Sequence, residues 1–157
     1  MRLIKEISFA TALTLASLYS IATSQAQEIH TGSLTIDHPW SRQSPMAANV
    51  AAGFMKITNA GTEDDTLVKA TASISGNVQL HDMKMENDVM KMFEVEGGIV
   101  IPAGQTVELK PRSLHIMFMD VTAQPKEGET FTGTLVFEKA GVVTVDFEVM
   151  GPMAGMN

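Results

Sequence analysis

From residue 32 onward, short runs of Val, Ile, Leu, Thr and Phe alternate with polar residues. They are broken by turn clusters: Asn59-Ala60-Gly61, Ser75-Gly76-Asn77, Gly97-Gly98, Pro102-Ala103-Gly104, Lys126-Glu127-Gly128 and Ala140-Gly141. A period of two with Gly, Asn and Pro punctuation is the signature of half-buried strands joined by tight turns. The pattern predicts strands over 32–37, 51–58, 65–72, 78–85, 89–95, 106–110, 114–120, 130–138 and 142–149. No long stretch keeps a helical period. Strands of this number and spacing predict an all-β fold, an antiparallel sandwich or barrel. The alternation is cleanest at the end, where Val143, Val145, Phe147 and Val149 fall on one face and Thr144, Asp146 and Glu148 on the other.

The first residues follow a different rule. Arg2 and Lys5 precede an apolar run from Ile7 to Ala22, and Ser24-Gln25-Ala26 supplies the small residues of a cleavage site. This is the layout of a secretory signal peptide, so residues 1–26 are expected to be removed and the remainder exported to the periplasm. The run is too short and too interrupted for a membrane span. Residues 27–149 then form one domain, with about 130 residues from Gln27 onward sufficing for a single core. The last stretch, 150–157, is Gly- and Met-containing and is expected to be a flexible tail. The net charge of −7 argues against nucleic acid or anionic lipid as a partner.

Composition adds one further feature: no cysteine, but twelve methionines. A thioether is a soft metal ligand that, unlike a thiol, is not lost to disulfide formation. The methionines concentrate in Val78-Gln79-Leu80-His81-Asp82-Met83-Lys84-Met85-Glu86-Asn87-Asp88-Val89-Met90-Lys91-Met92-Phe93, which reads as a hairpin. With a two-residue turn at Glu86-Asn87, His81 faces Met92 and Met83 faces Met90, close enough to share one ion. A second run, Leu114-His115-Ile116-Met117-Phe118-Met119, places His115, Met117 and Met119 on one face and Leu114, Ile116 and Phe118 on the other. In both segments the His/Met set is out of phase with the aliphatic set that builds a core. Asp82, Lys84 and Lys91 share the core phase, so the hairpin tip is expected to project beyond the core.

Two imidazoles with two or more thioethers form a soft, neutral donor set. It suits Cu(I), with Cu(II) as the other state in view, whereas Ca²⁺ and Mg²⁺ prefer oxygen and structural Zn²⁺ prefers cysteine. Binding requires neutral imidazole, so affinity should fall below about pH 6.5. A blue-copper electron carrier is excluded, because that site needs a cysteine thiolate. Neither a Gly-x-Ser-x-Gly elbow nor a His-Glu-x-x-His helix occurs, so a hydrolase is disfavoured and the chain is expected not to be an enzyme. A plain sandwich using methionine as core filler is the bland alternative, weakened by the phase of the two His-x-Met runs.

These residues resemble the periplasmic copper chaperones of the PCuAC family, whose signature is His, ten residues, Met, about twenty-one residues, then His-x-Met. Here ten residues separate His81 from Met92, and twenty-two separate Met92 from His115-x-Met117. Pro39-Trp40-Ser41-Arg42, residues 52–59, Ile101-Pro102-Ala103-Gly104 and residues 107–111 also look like family segments. The resemblance implies a Greek-key, cupredoxin-like fold and an exposed Cu(I) site. It also implies delivery of copper toward the CuA centre of cytochrome c oxidase, with that enzyme's subunit II domain or a Sco-type protein as acceptor. Copper sequestration without a dedicated acceptor is the alternative that leaves the site chemistry unchanged. The expected ligands are His81, Met92, His115 and Met117. Met83, Met90 and Met119 are candidate auxiliary ligands, and Met150, Met153 and Met156 a weak second site. His30 and His38 read as solvated or capping residues, Met46 and Met55 as packing, Trp40 as a core anchor, and Glu63-Asp64-Asp65 as a solvated turn.

Overall fold

The computed structural model describes residues 27–156; the predicted signal segment 1–26 and Asn157 lie outside the described residues. Eleven strands and no helix make up the described chain: β1 (Glu28–Thr31), β2 (Leu34–Arg42), β3 (Ala51–Asn59), β4 (Asp65–Ala72), β5 (Asn77–Glu86), β6 (Val89–Glu94), β7 (Ile99–Ile101), β8 (Thr106–Leu109), β9 (His115–Met119), β10 (Thr130–Phe137) and β11 (Gly141–Met150). The two strands absent from the sequence expectation, β1 and β7, have four and three residues. Runs this short carry too little alternation to stand out.

Strands follow the order β6-β5-β9-β3-β2-β11-β10-β4-β7, with β1 added beside β2 and β8 beside β3. All pairings are antiparallel except β11 with β2, which run parallel from Glu148↔Trp40 to Met150↔Arg42. The all-β expectation holds; in detail the sheet is mixed, since one strand pair is parallel, and of the sandwich or barrel alternatives its ends do not close into a barrel. The crossover that returns β11 to the first strands of the domain creates the parallel pair, a choice that alternation along one strand cannot reveal.

Three phenylalanines from different strands pack together in the core. Phe118 of β9 meets Phe131 of β10 edge-on at 5.3 Å and Phe147 of β11 edge-on at 5.4 Å, while Phe131 and Phe147 stack at 5.1 Å. Such pairs add about 0.5–1.5 kcal/mol beyond the area they bury. Glycine is required alongside: a Cβ on Gly53 would lie 2.9 Å from the Phe118 ring and 3.0 Å from that of Phe147. The predicted inward stripe of β11 is realised, with Val145, Phe147 and Val149 buried and Thr144 and Asp146 exposed.

Two smaller expectations change. Asp65 is buried and accepts hydrogen bonds from the backbone N–H groups of Thr66, Lys139 and Ala140, so it clamps the β10–β11 turn instead of facing solvent. Met46 is exposed in a loop, while Met55 is packed in the core as expected.

Candidate metal centre

The β5–β6 hairpin turns on Asn87-Asp88, not on Glu86-Asn87. Both residues have positive φ, 52° and 61°. Two left-handed residues in a two-residue loop form a type I′ turn, and Asn and Asp tolerate that conformation better than most side chains. The register is displaced accordingly: His81 opposes Glu94, Met83 opposes Met92, and Met85 opposes Met90. The expected His81–Met92 and Met83–Met90 pairs are therefore corrected. Because the loop keeps two residues, the shift preserves faces, and Met92 stays on the His81 side, diagonal to it.

β5 then pairs with β9 so that His81 opposes His115 and Gln79 opposes Met117. β9 pairs with β3 so that Met117 opposes Ala52, and β3 pairs with β2 so that Phe54 opposes Trp40. A row of side chains consequently crosses the sheet: Glu94, His81, His115, Phe54, Trp40. The His81 and His115 rings meet edge-on at 5.7 Å, His115 and Phe54 lie 6.5 Å apart, and Phe54 and Trp40 lie 4.5 Å apart. Between Asp37 and Trp40 the β2 register slips at His38-Pro39, where His38 has φ 49° and Pro39 has no N–H to give the ladder. Trp40 thus comes into line with Phe54.

Both imidazoles are nearly covered, with 8% of His81 and 5% of His115 exposed. Their hydrogen bonds leave one lone pair each. His115 Nδ1–H donates to the Ser113 carbonyl at 2.7 Å, leaving Nε2 as its lone-pair nitrogen. His81 Nε2–H donates to Gln79 Oε1 at 2.8 Å, and its Nδ1 is buried without a hydrogen-bond partner among the described residues. A buried nitrogen without a partner costs free energy unless something outside the chain satisfies it. The pKa of His81 is lowered from its ordinary value of 6.5, first by burial and next by His115, with Glu94 opposing. His81 is therefore held in the neutral form that a metal ion needs.

Beside this pair opens a cavity of about 770 Å³ lined by His115, Met83, Met92 and Met117, by Trp40, Phe54 and Arg42, and also by His38 and Met156. Met92 keeps 47% of its surface exposed, so the thioether side of the site is open to solvent. Among the described residues no group of three or more His, Cys, Asp or Glu is placed to hold a metal ion. The donors in the cavity wall are the His115 imidazole and several thioethers, with the His81 imidazole against His115, a set suited to soft, thiophilic ions rather than to Ca²⁺ or Mg²⁺.

Among the residues singled out from the sequence, His115, Met83, Met92 and Met117 line the cavity, and His81 lies beside it against His115 without lining it. Met90 sits opposite Met85 toward the hairpin tip, Met119 opposes Asn77 at the far end of β9, and neither lines the cavity. The tip projects as expected, with all six residues of β6 exposed. Trp40 is half-buried and forms a wall of the cavity instead of a core anchor, and His38 lines the same space. Gln79, Ser113, Phe54 and Arg42 carry no site role legible in the sequence, because their roles depend on cross-strand neighbours. The segment after β11 also differs from a free tail: β11 runs through Met150, and residues 151–156 form turns against Trp40 and Pro111. Met156 alone of Met150, Met153 and Met156 reaches the cavity.

Residues 34–149 match the family described as "Putative lipoprotein LpqE-like". The chain belongs to the LpqE-like family, of PCuAC type. This LpqE-like chain is 30% identical over 125 residues to "Putative lipoprotein Lxx21020" of Leifsonia xyli, covering 80% of this chain and 74% of that protein. Among solved structures it is similar to the copper-bound PCuAC domain from PmoF2, with TM-score 0.70 and 28% identity over 80% of this chain and 99% of the other. It is likewise similar to the apo PCuAC domain from PmoF1, with TM-score 0.69 and 26% identity over 80% and 100%.

Proposed function

We infer that this LpqE-like chain is a periplasmic Cu(I) carrier that binds the ion through His81, Met92, His115 and Met117, with Met83 alongside, and hands it to a protein acceptor. The observation that carries this reading is the buried, unpartnered His81 Nδ1 beside His115, on a face shared with three cavity-lining methionines. The likeness to a copper-bound PCuAC domain supports copper over other soft ions. A neutral donor set favours the monovalent ion, since no anionic ligand is supplied to offset a second charge. The exposed Met92 supports transfer: an incoming donor can displace a solvent-facing thioether first and take the ion stepwise. The acceptor we propose is the CuA centre of cytochrome c oxidase, reached directly or through a Sco-type protein. Among the described residues no helix is long and apolar enough to cross a membrane.

The test is a competitive Cu(I) titration of residues 27–157 against a chromophoric chelator, beside a variant with His81, Met92, His115 and Met117 all changed to Ala. Wild type should hold one equivalent and the variant should bind at least about a hundredfold more weakly. Equal titrations would sink the site. A second arm mixes the loaded protein with a soluble CuA domain and follows the metal. Retention of copper by this chain would make it a buffer of copper without that acceptor.

A further inference from the structure

The segment that follows β11 is tied down by backbone as well as by contact. Gln43 N–H donates to the Met150 carbonyl at 2.8 Å, Ala154 N–H to the Gly151 carbonyl at 3.0 Å, and Met156 N–H to the Met153 carbonyl at 3.3 Å. Arg42 Nε–H donates to the Ala154 carbonyl at 3.0 Å. Gly155, at φ +69°, lies flush on the aromatic wall of the cavity: a Cβ there would fall 2.8 Å from Trp40 and 2.9 Å from Pro111. Only glycine permits both the left-handed backbone and that approach. Met156 follows directly and lines the same cavity as His115, Met83, Met92 and Met117, with 49% of its surface exposed.

Arg42 and Trp40 are themselves placed by the sheet that places the imidazoles. Trp40 stacks on Phe54, which packs against His115, and Arg42 lies 6.0 Å over the Phe54 ring. One continuous set of contacts therefore runs from the histidine pair to the folded segment. A flexible, polarizable thioether held at the open side of a thioether-lined cavity has the chemistry of a soft-metal ligand.

We propose that residues 151–156 form a folded strap, anchored by Arg42, Trp40 and Gly155, that delivers Met156 as a further thioether ligand to the Cu(I) held by the His/Met cavity. This rests on the copper reading above. The strap then closes the solvent side of the site, and its release opens a coordination position to an incoming donor.

The experiment is Cu(I) titration of the protein labelled with ¹³C at its methionine ε-methyl groups, following the histidine rings in parallel, for wild type, Met156→Leu and Gly155→Val. In wild type the Met156 methyl resonance should move within the first equivalent, together with those of Met92 and Met117. Met156→Leu should weaken Cu(I) binding about tenfold, the lower end of what supporting residues of a metal site contribute, and remove one sulfur scatterer from the copper X-ray absorption spectrum. Gly155→Val, which undocks the strap without touching a donor, should leave the Met156 methyl unresponsive in the first equivalent. The strap is overturned if Met92 and Met117 respond while Met156 is silent, or responds only to a second equivalent, since it then belongs to a separate, weaker site. If neither the histidine rings nor any methyl responds to one equivalent, the copper reading itself fails and the strap with it.

Discussion

A histidine becomes a metal ligand or an inert core residue according to what its two nitrogens touch. In His115 one nitrogen is committed to the Ser113 carbonyl, and in His81 one is committed to Gln79, so each ring is oriented with a single lone pair to offer. The lowered pKa of His81 has a consequence for the metal-free protein. Folding disfavours its protonated form, so the associated stability is complete above about pH 6.5 and is lost as pH falls below that value through the folded pKa. The urea midpoint of the metal-free protein should therefore drop between pH 7.5 and 5.5, and His81→Gln should flatten that part of the profile. An unchanged slope in the variant would place the titration elsewhere. The methionines separate at the same scale. Met83→Leu should weaken Cu(I) binding about tenfold, whereas Met90→Leu, off the cavity, should leave the competitive titration unchanged.

At the scale of the element, the hairpin decides which thioethers reach the histidines. Residue types and the parity of the loop are legible in the sequence, and that parity puts Met92 on the face of His81. The turn position is not, because Glu86-Asn87 and Asn87-Asp88 are both two-residue loops that keep the same alternation. The left-handed tolerance of Asn87 and Asp88 settles between them. Asp88→Gly should keep the register, the copper affinity and the Met83–Met92 cross-strand contact seen by NMR, since Asn-Gly suits the same turn. Insertion of one glycine after Asp88 should turn the inner faces of β6 outward. Copper affinity should then fall to that of a Met92→Ala variant, with the fold retained by far-UV circular dichroism. Wild-type affinity in the insertion variant would show that Met92 is not a ligand.

For the whole molecule, the aromatic cluster of Phe118, Phe131 and Phe147 supports the site from behind, since Phe118 lies two residues along β9 from Ile116 and three from His115. Phe147→Ala should cost about 3–5 kcal/mol in urea denaturation, as expected for a fully buried aromatic. At temperatures where the variant is still folded, its copper affinity should stay within a few-fold of wild type. A large loss of affinity with little loss of stability would show that the cluster tunes the site instead of merely holding it. The longer β-strands, the inward stripe of β11 and the His/Met donors out of phase with the core follow from the sequence alone. Each of these is local, set by side-chain alternation with period two. The parallel β11–β2 pair, the His81–His115 opposition, the placing of Trp40 in a cavity wall and the arrival of Met156 at the same cavity came only with the tertiary fold. Those depend on which distant strands become neighbours, and that is fixed by the packing of the whole core.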